Sequence, residues 1–73
     1  MASLRDKRFL REIGLRIRAL RKEKGWTQQQ FADHCDLHRT YVAGVERGER
    51  NVTVISLRAL ADVLRVDIAQ LFS

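Results

Sequence analysis

Apolar positions recur with helical spacing along the whole chain, and the polar residues between them mark where each helix starts and stops. Leu10, Ile13, Ile17 and Leu20 step by three and four, an amphipathic stripe that predicts a long first helix. Asp6 is its candidate N-cap and Gly25 its natural stop, with residues 1–5 expected to be frayed. Thr27, followed three residues on by Gln30, is the capping-box arrangement, so a second helix starts there. Phe31 and Cys35 fall four apart with Ala32 beside them and form its buried stripe, while Gln28, Gln29, Asp33 and His34 point elsewhere. Asp36 stands where so short a helix must stop, because aspartate tolerates the left-handed conformation such a turn needs. Leu37 then pins the turn to the core.

In the third helix Val42 and Val45 share the inner face with the stems of His38 and Glu46. A turn of about 100° per residue therefore puts Thr40, Ala43, Gly44 and Arg47 on the opposite, outward side. A mid-helix glycine costs roughly 1 kcal/mol against alanine, so Gly44 is expected where another backbone comes close. Gly48 ends this helix, Glu49-Arg50-Asn51 forms a polar loop, and Thr53 caps a fourth helix with Val54, Leu57, Leu60, Ala61 and Leu64 on its core stripe. A second stripe, Ile55, Ala59 and Val63, would be left bare on an isolated domain. Together with Ile68, Leu71 and Phe72 it reads in part as a dimer face, although Leu71 and Phe72 fit closure of the core equally well. Asp67 with Gln70 gives a last capping box and a short fifth helix. No proline, linker, repeat or strand-like alternation divides the chain, which reads as one all-α domain over residues 1–73 with a helix-turn-helix at about 27–47.

Two short helices joined by a tight turn suit presentation of the second one to a nucleic-acid groove. At its start Arg39 offers a forked donor for a guanine edge or a phosphate, and Thr40 a hydroxyl and a methyl for a thymine. Ala43 and Gly44 complete the expected base-reading face by permitting close approach. Gln28 opens the preceding helix, where free N–H groups and the helix dipole attract a phosphate; the plainer reading is a solvent-facing glutamine. His38 is a cap or a phosphate donor. Tyr41, Arg47, Arg50 and Asn51 are expected along the sugar–phosphate strand, where helix ends and neighbouring loops commonly set register.

Gly25-Trp26-Thr27-Gln28, followed by Ala32, Leu37, Arg39-Thr40-Tyr41, Gly44-Val45-Glu46-Arg47-Gly48 and Arg50-Asn51, resembles the helix-turn-helix family of Cro and the phage repressors. The likeness covers about Ile13 to Phe72 and implies a compact five-helix, lambda-repressor-like fold that binds double-stranded operator DNA as a homodimer. Within that family the Arg39-Thr40-Tyr41 and Arg47-Gly48-Glu49-Arg50-Asn51 runs are similar to the small controller proteins of restriction–modification systems. The resemblance further implies an ion pair between Arg21 and Glu46 tying the first helix to the third, and a regulator that activates at one occupancy and represses at a higher one, with RNA polymerase as a further contact. Asp36 in place of a commoner glycine, His38 in place of serine or aspartate, and Ala43 in place of serine are the departures; they bear on the operator sequence, not on the class.

Charge sharpens this picture only slightly. Fourteen Lys and Arg against nine Asp and Glu give a net charge of +5, which suits a polyanion but equally a membrane surface or mere solubility. Nine of the fourteen basic residues precede Gly25; a phosphate-facing flank is the sharper reading of that helix and a solvated surface the better one for most of them. The single cysteine excludes an internal disulfide and, on the predicted core face, suits a reducing compartment. With a charged amino end and no apolar run near the ~20 residues of a membrane span, the protein is expected in the bacterial cytoplasm, without membrane association. His34, Cys35 and His38 are the only metal-like cluster, and zinc would need a fourth ligand and an accessible sulfur, so no metal or other cofactor is expected. Trp26 reads as a plug under the turn rather than a base-stacking platform. No nucleophile elbow, phosphate-cradling loop or carboxylate pair appears, so the chain is not read as an enzyme. The competing readings are a phage or toxin–antitoxin repressor of the same fold, and a protein-interaction module that uses the second apolar stripe.

Overall fold

The computed structural model describes residues 6–72; the expected fraying of residues 1–5 lies outside them. Four α-helices follow in order, α1 at Lys7–Glu23, α2 at Gln28–Cys35, α3 at Arg39–Glu46 and α4 at Val54–Leu64, and no strand occurs among the described residues. The expected fifth helix is instead a single 3-10 turn at Ile68–Leu71. Its bonds run three residues back, Gln70 N–H to the Asp67 carbonyl at 2.9 Å and Phe72 N–H to Ala69 at 3.1 Å. Four residues are too few to repay the nucleation of an α-helix.

The caps are those the sequence predicts. Asp6 Oδ1 accepts the N–H groups of Arg8 and Phe9 at 2.9 and 3.1 Å. At α2 the reciprocal box is complete, Gln30 N–H donating to Thr27 Oγ1 at 3.1 Å and Thr27 N–H to Gln30 Oε1 at 2.8 Å. All four helices stop by the same reversal, in which one residue turns left-handed and the next N–H reaches back five residues. Glycine serves after α1 and α3, but after α2 and α4 the left-handed residues are Asp36 (φ 56°) and Arg65 (φ 60°).

The core is one cluster. Leu10, Ile13 and Ile17 of α1, Phe31 and Ala32 of α2, Val42 and Val45 of α3 and Leu57, Leu60, Ala61 and Leu64 of α4 meet in it, sealed by Val52 and Leu71. Each large side chain fully buried there contributes roughly 1.5–3 kcal/mol. Two expectations, one on α4 and one on the 3-10 turn, need correction. Val54 is 59% exposed because it is the first residue of the helix and projects beyond the core. Leu71 is wholly buried in its own chain and cannot belong to a dimer face, since the 3-10 turn folds it back against α1 and α4. Cys35, predicted on the core stripe, is only half-buried at the end of α2, and this partial burial pushes its thiol from 9.0 up to about 11.

Helix α1 packs chiefly against α3. A Cβ at Gly14 would lie 2.6 Å from the Glu46 carbonyl oxygen and would collide with that of Val45. The absence of a side chain in mid-α1 is therefore what lets the two backbones meet, and the C-terminal half of α3 sits directly on α1.

Candidate nucleic-acid interface

The second helix of the pair, α3, is short, and its two ends are held differently. Residues Val42 to Glu46 are buried without interruption, whereas Arg39 and Thr40 stand in solvent. His38 caps the helix, its Nδ1 accepting the Thr40 N–H at 3.2 Å, so the ring acts here as an acceptor. Tyr41, half-buried, donates its hydroxyl proton to Ser56 Oγ at 3.0 Å; since Ser56 also belongs to the cap of α4, the first turn of α3 is tied to that helix.

The root of α3 is fixed by a charged network. Arg21 grips Glu46 with two bonds, Nε to Oε2 at 2.7 Å and Nη2 to Oε1 at 3.0 Å, and its third nitrogen donates to the Trp26 carbonyl at 2.7 Å. The two side chains are 9% and 2% exposed. A pair so deeply buried holds only when its remaining donors and acceptors are satisfied, and Gln28 completes it by donating Nε2 to Glu46 Oε1 at 3.1 Å. No buried side-chain polar atom among the described residues lacks a partner. Gln28 is thus neither the solvent-facing glutamine nor, in this arrangement, a side chain held out for phosphate. Its amide is the third member of a network that fastens α1, the start of α2 and α3 together.

Two of the four residues expected to read bases do not reach the surface. Ala43 is 7% exposed, and Gly44 is covered by the side chain of Arg50, whose Cγ would lie 2.6 Å from a Cβ built there. The angular pattern put them on an outward face, but both are buried, and at Gly44 it is the side chain of Arg50 in the following loop that covers the helix. Around the far end of α3, Arg47 pairs with Glu49 at 2.7 Å in solvent, a contact of little energetic consequence. Arg47 and Asn51 line a shallow cleft with Lys7 and Arg11. Sequence reading left those two α1 residues on a solvated face; a contact across some 40 residues of chain has no local signature.

On the other side of the molecule Ile55 is 83% exposed, and Val54 and Phe72 also remain accessible. Ala59, Val63 and Ile68 are half-buried, the last two packing against the core. The Phe72 ring stacks on Phe9 at 5.6 Å between centroids. The histidine–cysteine trio does not converge. His34 stacks on Trp26 at 4.4 Å while His38 caps α3, and no group of three His, Cys, Asp or Glu side chains comes together among the described residues. Trp26 itself is half-buried and stacks on Phe31 at 6.0 Å, under the turn.

A family profile described as helix-turn-helix matches residues 17–71, from the middle of α1 to the 3-10 turn. The chain belongs to the helix-turn-helix family of DNA-binding regulators. Among relatives, the control protein C.MunI from a Mycoplasma species is 39% identical over 62 residues, covering 84% of each chain. The restriction–modification controller C.AhdI from Aeromonas hydrophila superposes with a TM-score of 0.83 at 43% identity, over 86% of this chain and 96% of that one. C.Esp1396I, solved as a tetramer in complex with its natural 35-base-pair operator, gives a TM-score of 0.79 at 38% identity over 88% and 84% of the two chains. The match covers the C-terminal part of α1 with its Arg21, both helices of the motif and all of α4.

Proposed function

We propose that this helix-turn-helix protein is a controller of restriction–modification gene expression that reads a pseudo-palindromic operator as a symmetric homodimer. The carrying observation is the exposed tip of α3: Arg39 and Thr40 are free of the packing that buries Val42 to Glu46, and the helix beneath them is anchored by the Arg21–Glu46–Gln28 network. Arg39 and Thr40 supply the base readout. His38, Arg47, Arg50 and Asn51 set register on phosphates, with Tyr41 bracing the tip and the amino end of α2 at Gln28 presenting backbone N–H groups to the strand. Controllers of this fold, one of them assembled on operator DNA, support the assignment. Ile55, Ala59, Val63, Ile68 and Phe72, with Val54 added and Leu71 removed, form the face through which two copies join, so that two α3 helices enter successive major grooves roughly 34–36 Å apart. The protein acts in the bacterial cytoplasm, its output set by its own concentration, operator spacing and contact with RNA polymerase.

Selection of bound sites from a random duplex pool by the purified protein, at two salt concentrations, tests this. A two-fold pseudo-palindrome recovered at both is the expected result. Recovery of no motif, with retention that vanishes at moderate salt, would leave only non-specific charge binding and move the function to the apolar face and a protein partner.

A further inference from the structure

We propose that Gly44 is a positioning residue for Arg50, so that the arginine of the following loop serves as the missing side chain of the recognition helix. This rests on the DNA-binding reading above and extends it. Thr40 and Gly44 are four residues apart in α3 and share one face of the helix, a turn apart. Over Gly44 that face carries the Arg50 stem: a Cβ at position 44 would lie 2.6 Å from Arg50 Cγ, 3.2 Å from Nε and 3.4 Å from Cδ. Because Cγ is close to the main chain, Arg50 cannot clear such a methyl by moving its guanidinium alone; the whole side chain must lift.

The loop is shaped to deliver it. Gly48 turns left-handed at φ +72° and Glu49 N–H donates to the Gly44 carbonyl at 2.9 Å, bringing residue 50 back over α3. Arg47 holds the Glu49 carboxylate at 2.7 Å, and Arg50 has no ion-pair partner among the described residues. Arg50 is exposed, and its stem lies flat from Cγ to Nε over Gly44, one turn beyond Thr40. Long arginine side chains lose rotamer freedom when they bind, and a seat that orders the stem beforehand reduces that loss. Gly44 thus sets where Arg50 meets DNA without touching DNA itself.

The test is a double-mutant cycle of Gly44→Ala and Arg50→Ala on the duplex recovered by the wild-type protein, with thermal melting of each variant. Alanine favours helix over glycine, so Gly44→Ala should melt no lower than wild type, and a lower melting temperature would mean that the loop backbone rather than the Arg50 side chain had been displaced, overturning the proposal. It should nevertheless bind about three- to tenfold more weakly, and cause no further loss in the Arg50→Ala background. Full binding by Gly44→Ala, or an equal loss in both backgrounds, would overturn the proposal. A second measurement needs no DNA: NMR relaxation at Arg50 Nε–Hε in the free protein should report a more mobile side chain in Gly44→Ala, and an unchanged order parameter would equally overturn it. If the wild-type protein retained no duplex, the functional reading would fail while this second measurement still judged the seat.

Discussion

The two ends of α3 present opposite solutions to one problem, how to offer a short helix to a large partner. At the root, five consecutive residues are buried, an arginine and a glutamine close on Glu46, and Gly14 lets the backbone of α1 press against the last carbonyls. At the tip, Arg39 and Thr40 have no such packing, and the turn is held by the His38 cap and by Tyr41, which bonds Ser56 and packs against the core. An eight-residue helix has too few internal bonds to persist alone, so its direction comes from the root and its chemistry from the tip.

Loss of the root should have the largest effect. Glu46→Ala leaves the buried Arg21 guanidinium without its counter-charge and is expected to destabilise the protein by about 3–5 kcal/mol, read by urea denaturation. The double replacement Arg21→Met with Glu46→Leu should cost clearly less than Glu46→Ala; if it costs the same or more, the pair is not the anchor described. Gly14→Ala attacks the same end sterically. It should lower the melting temperature although alanine is the better helix former, and an unchanged melting temperature would mean that α1 and α3 can separate freely.

At the tip the expectation inverts. Arg39→Ala should leave melting unchanged within about 0.5 kcal/mol while relaxing preference at one base position in each half-site by about 1–3 kcal/mol. An equal loss on selected and random duplexes would make Arg39 a phosphate contact instead. The turn that aims the tip offers a smaller test: Asp36→Gly relieves a left-handed aspartate and should stabilise by up to about 1 kcal/mol, measured by the denaturation midpoint. The smallest effect lies beside that turn, at Cys35. Its thiol titrates near 9.0 in the unfolded chain and at about 11 when folded. Its contribution to stability is therefore complete below pH 9 and lost as pH rises through 11. Cys35→Ala should flatten that part of the alkaline decline, and an identical decline in both proteins would show the thiol to be effectively solvated.

How much of this was legible in the sequence follows from the range of each signal. Asp6, Thr27 with Gln30, and Asp36 act within four residues, and each sits in the structure as local chemistry requires. The Arg21–Glu46 pair, 25 residues apart, came from family resemblance; periodicity alone only put the stem of Glu46 on the inner face of α3. The bond from the Gln28 side chain to Glu46 was not legible because its partner is 18 residues away. Ala43 and Gly44 were expected in the open and are buried; at Gly44 the missing side chain leaves a hollow, and what fills it depends on where the neighbouring loop goes. Gly14 gave no warning because a glycine amid strong helix formers looks like tolerated noise until the opposing backbone is known. Leu71 was ambiguous for want of the single turn that folds it inward.

The contact at Gly14 also bears on how such a protein can diversify. Because α1 and the root of α3 meet backbone to backbone, substitutions there must be compensated on both helices at once, whereas positions 39 and 40 can be exchanged singly on an unchanged scaffold. On the proposed readout by Arg39 and Thr40, a change of recognition site then needs exchanges at the tip alone, with the architecture beneath it unaltered.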